Sequence, residues 1–245
     1  MAQYVYGIVD AAASAPPRPG IGQAPVRVVA GDGAAALVSD LGAEELRLGP
    51  EEVLTHSEVL SDALTRGTTV LPMRFGVVME GADEVRAALL EAHAPELRSQ
   101  LDQFKGEVEL NVRVIYEEHA LMREVVRERR DIATLRNSLR GTPDAATYYD
   151  RIELGQLVAD AVDRKREEDA ADLLDQLAPL ATAVEVGEPA HERMVLGASF
   201  LVSRKRLEKF DETLERLARE RSDRMRFKLT GPLPPHSFVE LTGGE

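Results

Sequence analysis

The segment GEVELNVRVIY, from Gly106 to Tyr116, decides the fold because apolar and polar residues alternate strictly over its first eight positions after the glycine. Successive side chains of a β-strand point to opposite faces of the sheet. One face therefore carries Val108, Leu110, Val112 and Val114, and the other carries Glu107, Glu109, Asn111 and Arg113. The pattern predicts an antiparallel strand with one buried and one solvated face.

Upstream of this strand, short β-patterns alternate with helical ones. The predicted elements are strands at Tyr4 to Val9, Val26 to Val29 and Ala36 to Val38, a helix from Gly49-Pro50 to Gly67, a strand in TVLPMRFGVVM and a helical stretch over residues 82–104. The first helix places Val53, Leu60 and Leu64 on one apolar face. With the strand at 106–116, this order predicts a first domain, residues 1–115, that is a ferredoxin-like α+β sandwich.

Downstream, the chain predicts a second α+β domain over residues 116–245. Apolar residues at three-four spacing indicate a helix from Glu117 to Arg140 and another from about Thr147 to Leu177, which together form a helical hairpin at about 117–178. The elements that follow are a strand in TAVEV, a strand in ERMVLGASFLVSR, a charged helix from about Lys205 to Arg221 and a strand in RMRFKLT. A proline-rich strap closes the chain.

Composition excludes several classes of function. The 245 residues carry 43 acidic and 30 basic side chains, a net charge of −13, which disfavours binding to nucleic acid or to an anionic membrane surface. The absence of cysteine excludes disulfides and thiolate sites and fits a reducing compartment. No stretch has the length of a membrane span, and the first residues lack the features of a signal peptide, so we expect a soluble, cytoplasmic protein.

Catalytic and cofactor motifs are also missing from the sequence. The five histidines are scattered without ligand spacing, and neither a GxGxxG turn nor a GxSxG elbow is present, so we predict no metal site, no cofactor and no catalytic group. An enzyme of ferredoxin-like fold stays an alternative. It would need His56, on the flank of the first helix, to line a closed polar cavity.

Positive charge concentrates near the C-terminus. Residues 193–228 hold 11 Lys or Arg against 6 Asp or Glu, and Arg224, Arg226 and Lys228 share one face of the strand in RMRFKLT. This face could dock an acidic partner. Alternatively, the local charges pair along the neighbouring helix and only solvate it.

The strap LTGPLPPHSFV, Leu229 to Val239, is stiff before it folds because its prolines fix their own backbone and restrict the residue before them. Ordering it therefore costs little entropy. It either seals the core of the second domain or shapes an apolar groove for another protein. Arg74, in VLPMRFG, likewise has two interpretations: an ion pair that ties strand to helix, or a contact with a partner's carboxylate.

Four blocks in a fixed order, YVYGI, HSEVL with VLPMRFG, ASFLVSR, and LTGPLPPHSFV, resemble the gas vesicle protein F/L family over Tyr4 to Val239. The chain departs from the family in the last block, where Leu233 and His236 stand at positions that commonly hold Trp and Tyr. The resemblance implies a non-enzymatic accessory protein, located at the gas vesicle or in the cytoplasm, with two α+β domains.

The resemblance also implies association with the very hydrophobic major shell protein. The hypothesis is that the chain binds this protein during vesicle nucleation and prevents its aggregation. Candidate surfaces are the cleft between domains, the helical hairpin and the solvated face of the strand that ends at Ile115. Candidate partner-binding residues are Arg74, Phe75, Arg224, Arg226, Lys228, Leu233, His236 and Phe238. The alternative is a scaffold that binds several gas vesicle accessory proteins through the hairpin.

Overall fold

A computed structural model describes residues 1–42, 49–143 and 147–240. The chain forms two compact units that are not contiguous in sequence. The first unit comprises Met1–Leu110, Leu201–Arg204 and the chain from Gly231 onward, and the second comprises Asn111–Phe200 and Lys205–Thr230. The domain boundary at residue 115 stays a prediction.

An antiparallel sheet forms the centre of the first unit. Its strands are β1 (Gln3–Asp10), β2 (Arg27–Ala30), β3 (Ala34–Asp40), β4 (Val70–Pro72) and β5 (Val78–Met79). They lie in the order β2-β3-β1-β4, and β5 also pairs with β1. A loop with a single 3-10 turn, instead of a helix, connects β1 to β2, and β1 runs antiparallel to β3.

Helices cover this sheet. They are α1 (Pro50–Thr65), α2 (Ala82–Glu84), which continues as a π-helical segment (Val85–Glu91), and α3 (Ala94–Gln103). α1 begins where Pro50 occupies the first turn, and it buries Leu60 against β1, where Gly7 leaves room for it. The predicted face of α1 is partly wrong: Leu60 and Leu64 are buried, but Val53 is 45% exposed. The predicted strand TVLPMRFGVVM splits into β4 and β5.

The second sheet contains β6 (Glu107–Tyr116), β7 (Ala183–Val186), β8 (Met194–Ser203) and β9 (Met225–Leu233) in the order β7-β8-β6-β9. β6, which the sequence analysis assigned to the first sheet, therefore pairs with strands that come much later in the chain. The strand itself is confirmed, but its solvated face is not continuous, because Glu109 is only 1% exposed. With two sheets and their helices, the chain is an α+β protein, as predicted.

The remaining helices are α4 (Glu118–Glu128), α5 (Arg130–Ser138), α6 (Tyr148–Leu177) and α7 (Leu207–Glu220). The first arm of the helical hairpin is thus two helices instead of one. The break lies at Arg129, whose backbone is extended and whose side chain donates to the carboxylate of Asp131 at 3.0 and 2.6 Å. None of the helices in the described ranges is both long and apolar enough to cross a membrane.

Candidate functional site

Residues 231–239 of the strap belong to the first unit, and hydrogen bonds hold them there. The backbone N–H and the hydroxyl of Ser237 each donate to the buried carboxylate of Glu109, both at 2.8 Å. The Gln100 side-chain amide donates to the carbonyl of Glu240 at 2.9 Å. Pro234 and Pro235 are buried. Glu109 therefore acts as an internal anchor for the strap.

Next to the strap lies a cluster of aromatic rings around His56. The Tyr4 hydroxyl accepts a hydrogen bond from the backbone N–H of Gly76 at 3.1 Å and lies 2.9 Å from Nδ1 of His56. The ring of Phe75 meets the His56 ring edge-on at 5.8 Å, and Tyr6 stacks at 5.7 Å. In a neutral imidazole, the unprotonated Nδ1 can accept a hydrogen bond from the Tyr4 hydroxyl, which satisfies this arrangement.

Burial lowers the pKa of His56 to about 4, and the nearby His236 lowers it further by charge repulsion. His56 is therefore neutral at pH 7. Its Nε2 atom is also buried. Aromatic rings surround the imidazole where the enzyme alternative requires a polar cavity with carboxylates, so the arrangement does not favour acid-base catalysis.

Five of the candidate residues lie in the first unit: Arg74, Phe75, Leu233, His236 and Phe238. We call this set the strap face. Phe75 and His236 both lie next to His56, so the structure brings together two candidates that are far apart in sequence. Phe75, Leu233 and Phe238 are half-buried, whereas Arg74 and His236 are exposed. Arg74 makes no hydrogen bond or ion pair with any described residue, which leaves its guanidinium available.

The three basic candidates lie in the second unit, Arg224 just before β9 and Arg226 and Lys228 on it. Arg224 is engaged inside the protein, where it donates to Glu124 at 3.1 Å and to Asp169. Arg226 lies 3.1 Å from the carboxylate of Glu117. Lys228 is exposed and, among the described residues, has no ion-pair partner. Of the predicted basic stripe, Lys228 alone keeps its charge unpaired.

Arg224 belongs to an ion network that joins α4, α6 and β9. Lys165 lies 2.8 Å from Glu124, and the Tyr116 hydroxyl donates to Asp169. The charged side chains are only 13–22% exposed. Burial and the hydrogen bond to the ionised Asp169 raise the pKa of Tyr116 well above its ordinary value. The network fixes the two arms of the hairpin relative to each other.

Between these arms lies an open cavity of about 930 Å³, which we call the hairpin groove. Its apolar lining comes from α4 and α6 and consists of Leu121, Met122, Gly155, Val158, Ala159 and Val162. Its rim is polar and includes Glu118, Asp163 and the turn at 191–193. The sequence indicated the hairpin as a candidate surface but not these individual residues. The sequence feature that could have indicated the groove is Gly155, a single glycine inside a helical pattern.

A metal centre finds no support in the described ranges, where no group of three or more His, Asp or Glu side chains is placed to hold an ion. Both candidate surfaces instead combine apolar side chains with charge at the edge, which is the composition of protein interfaces.

Comparison with known proteins gives matches over nearly the whole chain. The family model described as gas vesicle synthesis protein GvpL/GvpF matches residues 2–240. Gas vesicle protein F of Streptomyces sp. (strain CB03234) is 36% identical over 98% of this chain and 100% of its own length. Gas vesicle protein L2 of Halobacterium salinarum is 27% identical over 97% of this chain and 91% of its own.

Solved structures share the fold. The crystal structure of the gas vesicle protein GvpF from Anabaena sp. PCC7120 superposes with a TM-score of 0.86 at 24% identity and covers 99% of both chains. That of GvpF from Microcystis aeruginosa has a TM-score of 0.77 at 22% identity and covers 98% of this chain and 99% of its own.

Proposed function

Because the chain belongs to the gas vesicle synthesis protein GvpL/GvpF family, we propose that it is a non-enzymatic accessory protein that binds the hydrophobic major shell protein during vesicle nucleation. Binding at this stage prevents aggregation of the shell protein before it polymerises. The place of action is the gas vesicle or the cytoplasm around it.

The observation that carries this proposal is the strap face. Aromatic residues and arginine contribute most of the energy at protein interfaces, and here the half-buried Phe75 and Phe238 accompany the exposed, unpaired Arg74 within one unit. The prolines and the Glu109 anchor already order the strap. Since little further entropy is lost on binding, a surface of this kind can hold an apolar partner with modest contact area.

The charge of the chain supports the same role. A net charge of −13 keeps protein molecules apart by mutual repulsion. A complex between this chain and a shell protein subunit carries the charge of this chain and is repelled by other such complexes. We therefore expect the complex to stay dispersed while the apolar surface of the subunit is covered.

Co-expression with a gas vesicle shell protein, followed by size-exclusion chromatography, tests the proposal. We expect shell protein to remain in the supernatant and to co-elute with this chain, and to aggregate without it. The double variant Arg74→Ala/Phe75→Ala should reduce the co-eluting shell protein about tenfold, as expected for an interface hot spot. Lys105→Ala, which removes another exposed cation of the first unit that has no described ion-pair partner and lies neither on the hairpin nor on β6, is the control. Equal aggregation with and without the chain would sink the proposal.

A scaffold that binds several accessory proteins is the second candidate, and the hairpin groove favours it. In that case the double variant of the strap face should leave contacts with accessory proteins intact. Substitutions in the groove should remove those contacts while the shell protein still co-elutes.

A further inference from the structure

The hairpin groove continues along α6 as an exposed apolar row. Tyr148 is 63% exposed and Ile152 is 44% exposed, although both side chains are large and apolar. Residues three and four apart share one face of a helix, so these two residues continue the row that Gly155, Ala159 and Val162 form in the groove. From 148 to 162 the row spans about 21 Å, or about four helical turns.

Gly155 has no evident role in the fold of the described chain. It lies in the interior of α6, where its backbone is not left-handed, and a side chain built on it would meet no atom within 4 Å. A glycine in a helix interior costs about 1 kcal/mol relative to alanine. Because Gly155 has no side chain, the groove is deepest at this position, and the backbone of a second helix can approach closely there.

The rim of the groove carries an excess of negative charge. Glu118, Asp163 and Glu192 contribute three carboxylates to the lining, against the single guanidinium of Arg193. Arg193 lies 3.7 Å from Glu118, and Arg166, which does not line the groove, lies 3.0 Å from Asp163, so these two carboxylates are partly neutralised. Glu192 is exposed and makes no ion pair with a described residue. Charge complementarity therefore selects a partner with positive charge beside its apolar face.

We propose that the hairpin groove binds an amphipathic helix of a gas vesicle accessory protein, with small or apolar residues along one face and Lys or Arg on both flanks. The length of the apolar row, the open glycine and the acidic rim each match one property of such a helix. This proposal rests on the scaffold role, the second candidate function, and not on shell-protein binding. The chain would then hold two different partners.

A synthetic helix of about 18 residues, or five turns, with Leu and Ala on one face and Lys on both flanks, is the probe for this site. Its affinity for the full chain can be measured by fluorescence anisotropy. Gly155→Leu fills the groove and should weaken binding at least tenfold, and Ala159→Leu should act in the same way. Gln156→Leu adds the same side chain one position along, on a face that does not line the groove, and should change affinity less than twofold.

Two further comparisons make the result decisive. Thermal unfolding should show that Gly155→Leu is at least as stable as the original chain, because leucine favours helix and the space around residue 155 is open. A probe with Glu in place of Lys should bind at least tenfold more weakly. Equal binding of the two probes, or equal affinity of the Gly155→Leu and Gln156→Leu variants, would overturn the proposal.

The shell-protein assay distinguishes this proposal from the strap-face proposal. We expect Gly155→Leu to leave shell-protein co-elution unchanged and Arg74→Ala/Phe75→Ala to leave probe binding unchanged. Loss of shell-protein co-elution in Gly155→Leu would show that the groove binds the shell protein, and it would contradict the proposal that the groove binds an accessory protein.

Discussion

The strap face and the hairpin groove expose apolar surface in two different ways. On the strap face, internal hydrogen bonds to Glu109 and the aromatic rings around His56 hold the partner-facing residues in place. In the groove, the apolar row around Gly155 is open, and a side chain at that position would meet no described atom within 4 Å. On the proposed account, the first surface is ordered before it binds, whereas the second is completed by its partner.

The largest loss of stability is expected when Glu109, the anchor of the strap, is replaced. Glu109→Ala removes the acceptor of two hydrogen bonds from Ser237, one of them from the backbone. Hydrogen bonds to charged groups each contribute about 1.5–3 kcal/mol, so we expect the free energy of unfolding to fall by about 3 kcal/mol in urea titrations. Arg113→Ala, an exposed residue on the same strand, should change it by less than about 0.5 kcal/mol. An unchanged value for Glu109→Ala would show that the strap does not depend on this anchor.

A somewhat smaller loss of stability is expected when the ion network between α4 and α6 is broken. Asp169→Asn removes the charge that pairs with Arg224 and accepts from Tyr116. Because these groups are mostly shielded from water, we expect a loss of about 2 kcal/mol, less than for a fully buried pair. Glu168→Gln, at the exposed neighbouring position of α6, serves as the control. If both variants have the same stability in urea, the network does not hold the hairpin arms.

The His56 cluster predicts that the stability of the chain depends on pH. The pKa of His56 is about 4 in the folded chain and about 6.5 in the unfolded chain, so the unfolded state binds the proton more tightly. The stabilisation is complete above the unfolded value and is lost as pH falls toward the folded one. Between pH 7 and pH 5.5, we expect the original chain to lose about 1 kcal/mol more than His56→Phe.

Urea titrations of both proteins at the two pH values measure this difference directly. Other groups near the ring, His236 and Tyr4, are retained in His56→Phe and cancel in the comparison to first order. A parallel pH dependence in the two proteins would contradict the burial of a neutral imidazole.

The smallest effect has the opposite sign. Gly155→Ala should raise the free energy of unfolding by about 0.8 kcal/mol, because alanine favours helix and its methyl group meets no described atom. The gain is measurable as a higher melting temperature. A loss of stability would show that the groove is closed at this position, contrary to its open geometry.

The alternation from Glu107 to Val114 was sufficient to predict β6, and the order of elements was sufficient to predict an α+β fold. The environment of Glu109 could not be predicted, because it depends on Ser237, 128 positions later in the chain. The break at Arg129 was hidden for a similar reason: apolar spacing continues across it, and only the extended backbone of one residue interrupts the helix.

The candidate surfaces show the same limit. Sequence patterns indicated Arg74 and Phe75 and the strap separately, but only the fold places Phe75 and His236 beside His56. Sequence patterns also could not show that Arg224 pairs with Glu124 and Asp169 instead of facing solvent, since those carboxylates lie on helices far away in the sequence. The family was recognisable from ordered blocks of residues, and the resemblance is confirmed over residues 2–240.

The most direct test of the two-surface account is a competition experiment. The complex of this chain with shell protein is passed over a size-exclusion column in the presence of a saturating concentration of the Lys-flanked helical probe. The account predicts that shell protein and probe co-elute with the chain together, because they occupy different surfaces. Displacement of the shell protein by the probe would contradict it and would reduce the two surfaces to one.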